Sequence, residues 1–194
     1  MAFKGFADGD VLTAAEVNTY LMNQTVIVCT SGTRPSSPPE GMVVYETDTD
    51  LIRVWTGSTW GLLLDATGWT SYTPIWTAIG TNPVKNNGTI TGAYKRIGTT
   101  VHYTGEILMG STTTYGSGAW LVSTPTTAAG AAIAVGSSVM RSASNAVNRV
   151  GGSVEFNTTT TLAFYGAGGA VASTVPFTWA NGDRLRWSIT YETT

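Results

Sequence analysis

The sequence is poor in charge. Charged side chains make up 11% of its 194 residues and the net charge is −2, whereas a typical soluble domain has about 25% charged residues. No basic field is present that would attract a phosphate backbone, so we do not expect nucleic-acid binding. A surface rich in hydroxyl and aromatic groups favours neutral partners, such as glycans or other protein surfaces.

Catalytic patterns are also missing. The one histidine, His102, lies in an alternating β pattern, and no Gly-x-Ser-x-Gly elbow is present, which argues against a Ser-His-Asp triad. Glu106 and Glu155 are the carboxylates left to serve as the pair of a glycan-cleaving enzyme, if their strands bring them together. We predict that the protein is not an enzyme and uses no metal or cofactor.

The single cysteine, Cys29, cannot form a disulfide within the chain. Its neighbours in residues 25–30, TVIVCT, are apolar, so we predict a short buried strand over 26–30 with an inert thiol. The N-terminus lacks the apolar core of a signal peptide. No apolar run approaches the ~18 residues of a membrane span. We therefore predict synthesis in the cytoplasm without a signal peptide, and no membrane insertion.

Glycine, threonine and aromatic residues are abundant and follow the pattern of β-structure. The chain has 23 glycines and 7 tryptophans; threonine and aromatic residues suit pleated surfaces, and glycine suits turns. Alternation predicts strands near 69–79, 88–97, 100–109, 117–123, 132–140, 147–156, 161–166 and 184–192. The last strand would point Leu185, Trp187, Ile189 and Tyr191 to one side. This spacing predicts an antiparallel, jelly-roll-like sandwich over 68–194.

A short helix is predicted before this domain. Thr13 and Glu16 have the spacing of a capping box at the start of a helix over 13–24. Val17, Tyr20 and Leu21 fall on one face of that helix. About three turns are not stable alone in water, so we predict that this face serves attachment or trimerisation.

A proline-rich elbow at 31–41 leads into a small β-meander. Its strands are predicted at 42–46, 51–55 and 60–64, with Trp55 and Trp60 facing each other across a turn at Gly57. The acidic residues at 46, 48 and 50 lack the spacing of a calcium loop, and turn formation explains them better.

Aromatic residues near predicted loops are the candidates for ligand binding. A ring that stacks on a sugar face, with hydroxyl and amide groups around it, is how a chain of low charge would hold a neutral glycan. Most aromatic side chains of a β-sandwich belong to its core. The positions that we single out are Tyr115, Trp120, Asn145 and Tyr165.

Two local patterns resemble phage proteins. The segments FADGDVLTAAEVNTYLMNQ and TRPSSPPEGMVVYETDTDLIRVWTGSTW are similar to the start of minor tail and tail-fibre proteins of bacteriophages, particularly those infecting actinobacteria. The matching positions are Leu12, Thr13, Ala14, Val17, Asn18, Tyr20, Leu21, Arg34, Pro35, Gly41, Met42, Tyr45, Asp48, Asp50 and Trp60. The segments GAYKRIGTTVHYTGEI and FTWANGDRLRWSITYE are similar to the tip domains of phage receptor-binding proteins with a trimeric, C1q-like jelly roll.

The resemblance implies a homotrimeric virion protein at a tail tip or fibre. An attachment segment (1–30) would bind a tail or baseplate protein, an elbow and hairpin module (31–67) would connect, and a receptor-binding domain (68–194) would bind a host-surface glycan or protein. Three alternatives stay open: a ligand-free structural tail or baseplate component, a fibre of a phage-derived contractile injection particle, and a glycan depolymerase.

Overall fold

The computed structural model describes residues 7–21, 25–130, 134–144 and 149–194. It is mainly β and sandwich-like, which confirms the fold class expected from the sequence. The chain divides into two compact units, residues 1–68 and 69–194. No helix within the described ranges is both long and apolar enough to cross a membrane.

The first unit is a four-stranded sheet preceded by a short helical segment. Its elements are α1 (Ala14–Glu16), a π-helical turn (Val17–Leu21), β1 (Ile27–Cys29), β2 (Val43–Glu46), β3 (Leu51–Trp55) and β4 (Trp60–Asp65). The strands lie in the order β1-β2-β3-β4. The predicted meander is β2 to β4, and β1 adds to it in parallel, with Val28 opposite Tyr45.

The helix differs from the prediction. The capping box is present, since the Glu16 amide donates to Thr13 Oγ1 at 3.2 Å and the Thr13 amide donates to Glu16 Oε2 at 2.9 Å. However, α-helical geometry ends at Glu16 and widens into the π turn. Residues 17–19 (VNT) are all weak helix formers, which favours this early end. Residues 22–24 of the predicted helix lie outside the described residues.

The hairpin between β3 and β4 has the predicted geometry. Trp55 and Trp60 are cross-strand partners with ring centroids 5.4 Å apart, and Gly57 has a φ of 90°. The prediction of a buried β1 is wrong, because Val28 is 68% exposed. Cys29 is half-buried, and this burial, followed by the charge of Glu46, raises the pKa of its thiol.

In residues 69–130, 134–144 and 149–194, the second unit has ten strands in one sheet. They are β5 (Thr70–Tyr72), β6 (Trp76–Ala78), β7 (Thr89–Ile97), β8 (Thr100–Leu108), β9 (Trp120–Ser123), β10 (Val135–Arg141), β11 (Arg149–Thr158), β12 (Thr161–Gly166), β13 (Gly169–Ala170) and β14 (Arg184–Glu192). The order is β5-β7-β8-β14-β10-β11-β12-β9-β6, with β13 beside β12. Strands β9 to β12 form a Greek key, because β9 returns to lie beside β12.

The sheet curls until its two ends meet. The Tyr72 hydroxyl on β5 lies 2.6 Å from Ser123 Oγ on β9, although these strands are far apart in the strand order. The single predicted strand at 69–79 is therefore two strands, β5 and β6, on opposite ends of the sheet. Pro74 separates them, since proline has no backbone N–H to continue a ladder.

Aromatic rings fill the space that the curled sheet encloses. The last strand alternates as predicted, with Leu185, Trp187, Ile189 and Tyr191 all buried. The ring of Trp187 lies 5.3 Å from that of Phe164 on β12. One continuous core therefore joins strands that are distant in the sheet order.

We expect Gly105→Ala to destabilise the second unit by about 2 kcal/mol. Gly105 lies opposite Trp187 on β14, and an added Cβ would overlap the Trp187 ring. Gly151→Ala is the matched control, because nothing lies within 4 Å of its Cβ position. Urea unfolding measures both variants, and equal stability of the two would contradict the packing described here.

Candidate functional site

Two of the predicted ligand positions, Tyr115 and Trp120, contact each other. Trp120 is fully buried on β9 and donates its indole N–H to the Tyr115 carbonyl at 3.0 Å. The half-buried Tyr115 ring stacks against it, with centroids 6.3 Å apart. Trp120 is therefore a core residue that cannot present its ring to a ligand, which corrects the prediction.

The other two positions are not part of that group. Tyr165 lies on β12 and is 41% exposed, so its ring is available at the surface. Asn145 lies outside the described residues.

The structure keeps apart the two carboxylates considered for catalysis. Glu106 lies on β8 and Glu155 on β11, with β14 and β10 between them. Three strand spacings of about 4.8 Å separate them by roughly 14 Å, beyond the separation used by glycosidases. His102 is an exposed strand residue, with Nδ1 at 2.9 Å from Thr190 Oγ1.

The acidic residues around the β2–β3 turn bind different partners. Asp48 accepts the backbone N–H of Ser31 at 2.8 Å and its hydroxyl at 2.6 Å, and Asp50 accepts the Tyr45 hydroxyl at 2.7 Å. No group of three or more His, Cys, Asp or Glu side chains in the described ranges is placed to hold a metal. These contacts agree with turn formation.

Glu46 links the elbow to the hairpin through ion pairs. Its carboxylate is fully buried and accepts Nε of Arg34 in the elbow at 2.5 Å, Nε of Arg53 at 3.1 Å and Oγ1 of Thr49 at 2.7 Å. Burial alone would raise the pKa of Glu46, but the hydrogen bonds from these three side chains outweigh it and hold the pKa below its ordinary value.

Four arginines meet on the outer face of the curled sheet. Arg141 on β10 is the cross-strand partner of Arg149 on β11 and of Arg184 on β14. Arg186 follows two residues after Arg184 and points to the same side. We call these four residues the arginine cluster; together with Val139 they line a cavity of about 80 Å³.

One carboxylate serves two members of the cluster. Glu106 accepts Nη1 of Arg184 at 2.7 Å and also accepts Nε of Arg186. Partial burial would raise the pKa of Glu106, but the hydrogen bonds from Arg186 and Arg184 lower it below its ordinary value. Glu106 is thus ionised at neutral pH and offsets only part of the charge.

The other two arginines have no carboxylate partner among the described residues. Nε of Arg141 is buried and makes no hydrogen bond there. Residues 142–148, SASNAVN, contain no acidic side chain. Like charges that face each other across strands are destabilising, so the cluster costs stability in the isolated chain.

A row of hydroxyl side chains runs beside the cluster on the same outer face. Ser188 on β14, Ser137 on β10 and Ser153 on β11 are successive cross-strand partners, and Tyr165 on β12 follows Ser153. Ser188 lies two residues beyond Arg186, about 7 Å along the strand. The predicted Tyr165 therefore ends a polar row that borders the arginine cluster.

The sequence pattern does not reveal this cluster. The net charge of −2 indicates no basic field, yet four of the ten basic residues converge on this face. One signal was present: the arginines at 184 and 186 alternate on one side of a clear strand. The partners at 141 and 149 require the strand order.

A groove of about 510 Å³ lies elsewhere on the second unit, lined by Thr100, Ala129, Gly130, Ala134, Thr190, Tyr191 and Glu192. Its described lining residues include one carboxylate, that of Glu192, and no convergent set of charges. The arginine cluster is therefore the better candidate site.

No family model, curated protein or solved structure matches this chain.

Proposed function

We propose that the protein is an adhesion component of a phage tail, either a tail fibre or a receptor-binding protein of the tail tip. The first unit attaches to a tail or baseplate protein, and the second unit binds a glycan or another receptor on the host surface. The protein acts in the virion as a homotrimer, without enzymatic activity.

The observation that carries this proposal is the division of the chain into two compact units of different architecture. The first is a small sheet whose positions match the phage-like pattern, including Arg34 and Tyr45, which hold its elbow and turn in place. The second is a sandwich that exposes charged, hydroxyl and aromatic side chains on one face. A small unit with a phage-like pattern, followed in the chain by a unit with such a polar face, supports an adhesion role.

Exposed apolar side chains in the first unit support trimerisation. Within its described residues the exposed large apolar side chains are Val11, Leu12, Val26, Val28, Leu63 and Leu64. Strands β1 and β4 are the edges of the sheet, and each carries members of this set. Burial of such side chains between copies stabilises an assembly by about 25 cal/mol per Å². Of the predicted helix face, Val17 and Tyr20 are half-buried, and the side chain of Leu21 lies outside the described part.

Two measurements test the proposal. Light scattering of the full chain should give three times the chain mass of 20.3 kDa, and a monomer at micromolar concentration would contradict the trimer. The fluorescently labelled full chain should be retained on actinobacterial cells. Failure to bind any such host, with antibody labelling still placing the chain in a virion, would favour the ligand-free structural alternative.

A further inference from the structure

We propose that the arginine cluster binds the oxyanion groups of an acidic cell-surface polysaccharide. This inference rests on the adhesion function proposed above and names the chemistry of its ligand. It replaces the neutral glycan expected from composition with one that carries carboxylate or phosphodiester groups.

The arginine cluster has an excess of positive charge. Among the described residues, the cluster brings four guanidinium groups together, and Glu106 is the carboxylate in contact with it, through Arg184 and Arg186. Arg141 and Arg149 face each other across adjacent strands, and neither makes an ion pair within the described part of the chain. An anion between them would remove their repulsion and gain charge-assisted hydrogen bonds.

The guanidinium N–H donors and the adjacent cavity are suited to an oxyanion. Guanidinium groups bind carboxylate and phosphate oxygens through planar pairs of N–H groups. Nε of Arg141 is buried without a hydrogen-bond acceptor, and an unsatisfied buried donor is costly. The cavity of about 80 Å³ beside it has room for a single oxyanion group. The site is thus shaped for an anionic substituent, not for a large rigid ligand.

The surroundings favour a sugar polymer as the carrier of that anion. The hydroxyl row Ser188, Ser137 and Ser153 lies beside the cluster and leads to the exposed ring of Tyr165. Hydroxyl groups match sugar hydroxyls, and an exposed ring offers a stacking surface. A nucleic acid would need a longer basic track, and the net charge of −2 provides none.

Binding of the full chain to defined polymers tests the inference. Polygalacturonic acid supplies carboxylates on sugars, its methyl ester is the neutral match, and poly(glycerol phosphate) supplies phosphodiesters. We expect one or both acidic polymers to bind and the neutral ester to bind at least about tenfold more weakly. Higher ionic strength should weaken binding. Comparison of the two acidic polymers shows whether the site binds carboxylate or phosphodiester groups.

Substitutions of Arg141 and Arg149 test whether binding occurs at the cluster. Arg141→Gln with Arg149→Gln should weaken binding about tenfold or more, while its melting temperature stays equal or rises, because a repulsion is removed. Arg141→Lys with Arg149→Lys keeps the charge but loses the planar pair of donors, and should fall in between. Lys85→Gln with Arg96→Gln removes the same charge from exposed positions outside the cluster, and should bind like the unmodified chain.

Four results would overturn the inference. These are failure of both acidic polymers to bind, equal weakening by the two charge-removing double variants, equal binding of single-stranded DNA, and a changed oligomeric mass in the Arg141→Gln, Arg149→Gln variant. Host-cell binding that survives this variant would reject the arginine site and leave the adhesion function standing. Failure of the unmodified chain to bind host cells would reject the adhesion function itself.

Discussion

Replacement of Trp120 by alanine is expected to lower the free energy of unfolding of the second unit by about 4 kcal/mol. The Trp120 ring is fully buried, and its centroid lies 4.7 Å from that of Trp76 and 4.9 Å from that of Trp179. Truncation removes these contacts and leaves a cavity that rigid strands cannot close. Urea unfolding followed by circular dichroism measures the change.

Tyr165→Ala is the matched comparison, because its ring is 41% exposed on the outer face. Its effect on stability should stay within about 0.5 kcal/mol. Comparison of the Trp120→Ala and Tyr165→Ala variants therefore distinguishes a ring that stabilises the core from a ring that is available to a ligand. A stable Trp120→Ala variant that lost ligand binding would restore Trp120 as a site residue and contradict its assignment to the core.

Glu46→Gln is expected to destabilise the first unit by about 3 kcal/mol. The substitution removes the charge that Arg34 and Arg53 share and leaves both guanidinium groups without their buried partner. Hydrogen exchange of the β2 and β3 amides reports on this unit alone, and protection should fall on the order of 100-fold. Glu40→Gln, at an exposed position of the same elbow, should leave protection unchanged.

The effect of Glu46 should depend on pH in a defined direction. Because its folded pKa lies below the ordinary value of about 4.3, its contribution is present above that value and is lost as the pH falls through the folded pKa. The difference in the free energy of unfolding between the Glu46→Gln variant and the unmodified chain should therefore become smaller as the pH falls. A difference that stays constant from neutral pH to strong acid would show that packing, not charge, explains the loss.

Local patterns predicted most strands well. The strands at 51–55, 161–166 and 184–192 have the predicted bounds, and in the last of them alternating apolar residues fix which side is buried. The capping box at Thr13 was likewise visible, since it needs only residues within one turn. These features depend on neighbours in sequence.

Features that depend on distant partners were not predicted. The parallel pairing of β1 with β2 joins strands separated by residues 30–42, and the apolar run around Val28 gave the wrong burial because β1 is an edge strand. The closure of the curled sheet through Tyr72 and Ser123 was also invisible. Each requires knowledge of strand order, which a single sequence does not carry.

The same limit applies to the site. Arg141, Arg149 and Arg184 become neighbours only when β10 lies between β11 and β14, and along the sequence they read as scattered charges. Tyr165 was identified because it precedes a glycine-rich segment. Trp120 was misassigned because it follows another such segment, although it begins a buried strand.

The strand directions in the first unit also determine how its hydrogen bonds would respond to a pulling force. Strand β1 is parallel to β2, and the two hairpins that follow make β4 parallel to β1 as well. The chain therefore enters this sheet at one end of the strands and leaves it at the other. If the N-terminus is anchored and the chain is pulled from its other end, as the proposed adhesion function requires, tension would run along the strands, while their hydrogen bonds lie across them. The bonds of a strand pair would then be strained together in shear, and they would not open one after another as in unzipping.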